Sequence, residues 1–203
     1  MKIKKSAKII FSIITIILII VIAFLIIGNK KKSTQEIKVI NEIKEYGYTL
    51  KDNQSDKYKE LFKELEKTLK INPIDEENYA KLVSQMFVID FYTLTNKIAK
   101  TDVGGTEFIY NLKKEDFIEK AMDTIYKYLE SNIYDDRKQE LPKVIETSVE
   151  NIKTETFKYG KEIDNKAYVV SVNIKYEKNL GYDTKGKVTL IHQDKKLVIA
   201  KWE

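Results

Sequence analysis

KVIETSVENIKTETFKY (residues 143–159) and AYVVSVNIKYEK (residues 167–178) decide the fold. Upstream of Pro142 the apolar residues recur at helical intervals; downstream they recur at every second position. Tyr168, Val170, Val172, Ile174 and Tyr176 alternate with polar or small residues, the spacing that turns one face of a strand to a core. Residues 143–159 read as one long strand, or as two joined at a bulge near Glu150. Gly160 to Asn165 read as a turn. Residues 185–193 and 197–202 read as further strands, joined by a tight turn at Asp194, Lys195 and Lys196. Turns this short between successive strands imply an antiparallel meander.

Working back toward the N-terminus, the period changes to that of helices. Tyr58, Leu61, Phe62, Leu65 and Leu69 make an amphipathic face that stops before Pro73, with Ser55 as N-cap. A second helix is expected from Asp75 to about Ala99. Its broad apolar face carries Tyr79, Val83, Met86, Phe87, Phe91 and Leu94, which makes it the central core helix. Paired glycines at DVGGT (Asp102 to Thr106) break the chain, and Phe108 to Tyr110 read as a short strand or extended link. A further helix is expected from Lys114 to Ser131. Residues 33–47 read as a short helix that buries Val39, Ile40, Ile43 and Tyr46 and ends at Gly47. Helices first and a strand meander last define an α+β fold, with helices packed on one face of an antiparallel sheet.

The N-terminus sets a different expectation. Nineteen residues from Ile9 to Ile27 carry no charge, with Lys2, Lys4, Lys5 and Lys8 before them and Lys30, Lys31 and Lys32 after. As a helix this run is roughly 28 Å long, against about 30 Å for the hydrocarbon core of a bilayer. It is too long for a secretory signal peptide and has no small-residue cleavage site. The division expected is a cytoplasmic tail over 1–8, a single transmembrane signal-anchor over 9–27, a juxtamembrane linker with its short helix over 28–53, and an extracytoplasmic domain over 54–203. The lysines favour a cytoplasmic N-terminus.

Charge separates these parts. The chain has 36 basic and 31 acidic residues. Seven of the lysines lie in residues 1–32, which hold no acid, so residues 33–203 carry 29 basic against 31 acidic residues, a net charge of −2. Nucleic-acid binding needs a basic face, and the interspersed charges of the domain argue against it. With no cysteine there is no disulfide framework, and stability must come from an ordinary core. Lysine outnumbers arginine overwhelmingly and Ile and Asn are abundant, the bias of an AT-rich bacterial genome.

No phosphate loop, dinucleotide fingerprint, nucleophile elbow, zinc motif or EF-hand is present in the sequence. No catalytic, cofactor-binding or metal-binding residue is assigned, and no enzyme activity or cofactor is expected. The single histidine, His192, reads as a strand residue near the edge of the core. Asp90 is the exception, because its angular position places a carboxylate on the core side of the second helix. There it requires a partner, for which Arg137 and tyrosine hydroxyls are the candidates, either in a satisfied network or at a pocket floor. Among the thirteen tyrosines, Tyr126, Tyr128 and Tyr134 cluster as a candidate interface.

The helix FVIDFYTL (Phe87 to Leu94), the DVGG break (Asp102 to Gly105) and the strand AYVVSVNIKYEK together resemble membrane-anchored proteins of the NTF2-like fold. Within that superfamily the architecture is most similar to VirB8-like assembly components of secretion and conjugation machines and their TcpC-like Gram-positive relatives. The resemblance implies helices on a curved antiparallel sheet and a non-enzymatic scaffold or interaction role at the bacterial cell membrane, with envelope proteins or a second copy as partners. No family functional residue has a matching motif here. The alternative is an extracytoplasmic ligand-binding or sensing domain with an apolar cavity between helices and sheet.

Overall fold

The computed structural model describes residues 15–19 and 36–203. The chain divides into two units, Met1–Thr34 and Gln35–Glu203. Of the first, residues 15–19 are described, as exposed helix. Among the described residues no helix is long and apolar enough to cross a membrane. This corrects the expected fold class, with its single transmembrane signal-anchor over 9–27, of which residues 15–19 are described. The remaining positions of the run lie outside the described residues.

The second unit is α+β, as its periodicities require. Two short strands, β1 (Val39–Ile43) and β2 (Tyr48–Lys51), pair antiparallel. Three helices follow: α1 (Asp56–Leu69), α2 (Glu76–Tyr92) and α3 (Lys114–Asp123). Then come β3 (Val144–Tyr159), β4 (Glu162–Tyr176), β5 (Lys185–Gln193) and β6 (Lys196–Trp202), which form a four-stranded meander in chain order. Ser55 and Asp75 cap α1 and α2, each accepting from a backbone N–H three residues on.

The sheet is curved, and β3 shows why. Its register against β4 shifts three times, between Val144 and Glu146, Val149 and Asn151, and Glu155 and Phe157. Each bulge bends the strand and increases its twist. The second coincides with the one expected near Glu150. Because β3 is also an outer strand, repeated bulges and its exposed Glu146, Glu150, Lys153, Glu155 and Lys158 blunt it against edge-to-edge pairing.

The main core lies between α1, α2 and the inner face of the sheet. Tyr58, Phe62, Leu65, Val83, Met86, Phe87 and Leu190 are among its fully buried members. A second, smaller cluster sits on the other face of the sheet, where Tyr110, Ala167, Ile191 and Val198 are buried. Adjacent residues Leu190 and Ile191 belong one to each, as strand alternation dictates.

Three local expectations are corrected. Residues 33–47 were expected as a helix, but from 39 on they form β1 and the turn into β2; Val39 and Ile40 are exposed, and Tyr46, Tyr48 and Leu50 are buried in strand alternation. Gly47, at φ 61°, closes that turn rather than a helix. The second helix ends at Tyr92 rather than Ala99. Thr93 turns extended, its hydroxyl accepts from Val144 N–H, and Leu94 N–H donates to Pro142 O. The helix expected to reach Ser131 ends at Asp123, after which turns bring Tyr126 inward.

Candidate functional site

The early end of α2 creates the best-defined polar cluster of the domain. Beyond Thr93 the chain folds back, and Lys97 Nζ reaches Asp90 Oδ1 at 2.6 Å. Gly105 N–H donates to Asp90 Oδ2, also at 2.6 Å. Burial pushes the Asp90 carboxyl up, but the Lys97 ammonium, its hydrogen bond and the Gly105 N–H together hold it below the usual carboxylate range. Asp90 therefore sits on the core side, as its helical position indicated, and its partner is Lys97.

Arg137 is elsewhere. Its guanidinium donates to the backbone carbonyls of Leu94, Thr95, Lys97 and Glu130 at 2.9–3.2 Å. A planar fork can serve four acceptors in this way, and it satisfies carbonyls released where α2 ends. The expected pairing of Asp90 with Arg137 is corrected accordingly.

Tyr126 completes the cluster. Its hydroxyl donates to Phe91 O at 2.7 Å and accepts Gly104 N–H at 3.0 Å. Gly104 lies so close to the end of α2 that a Cβ there would meet Asp90 O at 2.1 Å. The paired glycines thus seat the 102–105 segment against α2. Nearby, Glu107 accepts from Thr49 N–H, Thr49 Oγ1 and Tyr58 Oη at 2.9–3.1 Å. Burial raises its pKa despite these donors.

This cluster is packed with protein groups. Phe87, Phe91, Phe117 and Tyr126 interlock around it, with ring centroids 5.2–5.9 Å apart. Asp90 lines none of the principal recesses among the described residues. It ties α2 to the 97–105 segment.

The tyrosines expected as an interface separate. Tyr126 is fully buried, whereas Tyr128 and Tyr134 are 77% and 51% exposed, so the trio does not form one surface. His192, on β5, has its Nδ1 2.8 Å from Asp164 Oδ2, and its backbone N–H donates to the same oxygen. Burial raises the Asp164 pKa, and the bonds from His192 and Lys166 N–H bring it below the usual value.

Two recesses with apolar walls reach β6, the outer strand opposite β3. One recess, about 430 Å³, runs between α3 and β6 and is walled by Phe91, Phe117, Ile125 and Trp202. A second, about 620 Å³, lies over the smaller core and is walled by Tyr110, Leu112, Phe157 and Tyr159. The two share Lys113 and Ala200 in their linings, so they adjoin at β6, and together they are called the groove. Its walls are braced. Trp202 Nε1 donates to Tyr92 Oη at 3.1 Å, and the indole lies where a Cβ on Gly186 would be, 1.9 Å from its Cη2. Tyr110 and Tyr159 meet edge to face at 5.4 Å. Leu112 is 79% exposed beside them.

None of these wall residues stood out in the sequence as a site. The available signal was FKYGK (residues 157–161), where aromatics alternate with lysines at a strand end. By contrast the polar recess beside residues 95–96, about 450 Å³, is lined by Asp52, Asn53, Asn96, Asn132 and Asp135 and offers little apolar wall.

No protein-family model, curated protein or solved structure matches the chain.

Proposed function

We infer that the protein is a non-enzymatic interaction module of the bacterial cell envelope, which holds a protein partner in the aromatic groove along β6. The observation that carries this reading is the groove itself. Half-buried aromatic rings and the exposed Leu112 wall it on a frame fixed by Trp202–Tyr92 and Tyr110–Tyr159 contacts, and aromatic anchors on rigid elements are what protein interfaces use. An envelope location is supported by the uncharged run of residues 9–27 and its lysine flanks. The order of three helices followed by a curved four-stranded meander supports the NTF2-like, VirB8-like comparison. A role in a secretion or conjugation assembly belongs to the same proposal.

The test is site-specific photo-crosslinking in cells. A photoreactive residue at Leu112 or Tyr159 should capture the same envelope protein, whereas one at Glu64, exposed on α1, should not. Capture should fall sharply when Phe157 is replaced by Ala. Equal capture from all three positions, or none from the groove, refutes the reading.

A further inference from the structure

We propose that the groove is selective for an acidic, extended segment of the partner that carries an aromatic or aliphatic anchor. This rests on the groove being the interaction site. Five lysines stand in its lining: Lys120 and Lys201 on the Trp202 side, Lys158 and Lys161 on the Tyr159 side, and Lys113 where the halves meet. All five are exposed. The lining contains only two carboxylates, Asp116 and Glu162. Residues 33–203 carry a net charge of −2, so this excess of lysine is local to the groove.

The existing pairs leave the lysines open to exchange. Lys113 meets Asp116 at 3.2 Å and Lys201 meets Glu203 at 2.9 Å, all four side chains being half-exposed or more. Solvent-exposed pairs of this kind are weak, so an incoming carboxylate displaces them at little cost. Rim charges of one sign around an apolar floor steer a partner of opposite charge and fix its register, while the floor takes the anchor. Residues 1–32 of this chain, with seven lysines and no acid, have the wrong charge for the groove. A second copy is the competing occupant, and its outcome is read as concentration-dependent self-association.

Trp202 is the only tryptophan and lines the groove, so its emission reports occupancy directly. Full-length protein is titrated with a random Glu/Tyr copolymer, a Lys/Tyr copolymer and poly-Glu, with excitation of tryptophan alone. The Glu/Tyr copolymer should shift the Trp202 emission at saturation and bind at least about tenfold tighter than poly-Glu, because only it supplies the anchor. The Lys/Tyr copolymer should not compete. Replacing Lys158 and Lys161 by Glu, or by Gln as the gentler pair, should weaken Glu/Tyr binding about tenfold or about threefold respectively, and raising salt should weaken it further.

Equal binding of both Tyr copolymers, or unchanged affinity in the folded Lys158→Glu/Lys161→Glu variant, overturns the acidic-partner inference. Concentration-dependent self-association that buries Trp202 overturns it in favour of a second copy. The groove reading is judged separately. Groove crosslinks in cells with no preference for the acidic copolymer leave the site standing and reject only the partner chemistry, whereas absence of groove crosslinks removes the site.

Discussion

Replacing Lys97 by Met removes the ammonium 2.6 Å from Asp90 and leaves a buried carboxylate with one remaining hydrogen bond, from Gly105 N–H. Breaking a buried ion pair from one side costs about 3–5 kcal/mol. A ceiling comes from proton uptake. The variant can escape the penalty by protonating Asp90. For a carboxyl of ordinary pKa near 3.9, this costs about 1.4 kcal/mol for each pH unit above that value, or about 4 kcal/mol at pH 7. The expected loss at pH 7 is therefore about 3–4 kcal/mol, a large part of a typical stability of roughly 5–15 kcal/mol.

The same reasoning fixes the pH dependence. In the native protein the folded pKa of Asp90 is lowered, so its stabilising contribution is complete above the unfolded value and is lost only as pH falls through the folded one. In Lys97→Met burial is opposed only by the Gly105 N–H and the more distant Lys51 charge, and the folded pKa is raised. The variant then recovers stability as pH falls toward the unfolded pKa. Its deficit should shrink by up to about 1.4 kcal/mol per pH unit between roughly pH 7 and pH 4. Adding Asp90→Asn to Lys97→Met should restore at least half of the loss at pH 7, since the amide oxygen still accepts Gly105 N–H and no charge is buried. Urea unfolding followed by both far-ultraviolet circular dichroism and Trp202 emission measures this. A deficit below about 1 kcal/mol at pH 7, or one that is the same at pH 4.5 and pH 7, would refute the account of Asp90 as an ion-paired tether.

Gly104→Ala places a Cβ 2.1 Å from Asp90 O and should cost about 3 kcal/mol or more, because backbone rather than a flexible side chain must yield; Gly47→Ala, with open space around its Cβ, should cost only about 1–2 kcal/mol for its left-handed backbone. Thermal unfolding separates the two, and similar losses would count against the close packing of the 102–105 segment. Arg137→Lys should be nearly as damaging as Arg137→Ala, each losing about 2 kcal/mol, since a point charge cannot serve carbonyls at Leu94, Thr95, Lys97 and Glu130 together; full rescue by lysine in a melting experiment would contradict this. Gly186→Ala should displace the indole from its seat and red-shift Trp202 emission, and an unchanged spectrum would show that the wall of the groove is not held by that contact.

The alternating stretch after Pro142 announced the sheet because each of β3 to β6 carries its own period, independent of what it packs against. Ser55 and Asp75 announced helix starts for a similar reason: a cap acts within three residues. Helix ends were harder. Residues 93–99 continue an apolar helical pattern, and what stops α2 at Tyr92 is supplied from far along the chain, by Pro142 O, Val144 N–H and the fork of Arg137. The partner of Asp90 is hidden in the sequence for the same reason. On an uninterrupted helix Lys97, seven residues on, would sit about 10 Å along the axis; once the helix ends, the chain returns and brings it into contact. The first hairpin is masked in the sequence although Tyr46, Tyr48 and Leu50 alternate, because Val39, Ile40 and Ile43 also satisfy a helical spacing that the exposed strand never uses.

The tyrosines show why composition pointed to an interface without locating it. A buried tyrosine must place its hydroxyl, and those in this core do so on one another, on the backbone or on a neighbouring side chain, as Tyr58 does on Glu107. Tyr48 and Tyr79 share a 2.6 Å bond, Tyr79 accepts Leu197 N–H, and Tyr126 bridges Phe91 to Gly104. Each therefore joins elements distant in sequence, which consumes the polar end that would make it useful at a surface. Tyr110 and Tyr159 differ. They meet edge to face at the small core of the outer sheet face, Tyr110 buried and Tyr159 half-buried beside Lys158 and Lys161. Both sets come from the same residue type with the same propensities, and only the side of the sheet decides which role each ring takes. Strand parity makes that division, since a one-residue shift of β3 would carry Phe157 and Tyr159 to the helix-facing side and abolish the groove. The bulges that pin the register of β3 against β4 are thus the features on which the candidate site most directly depends.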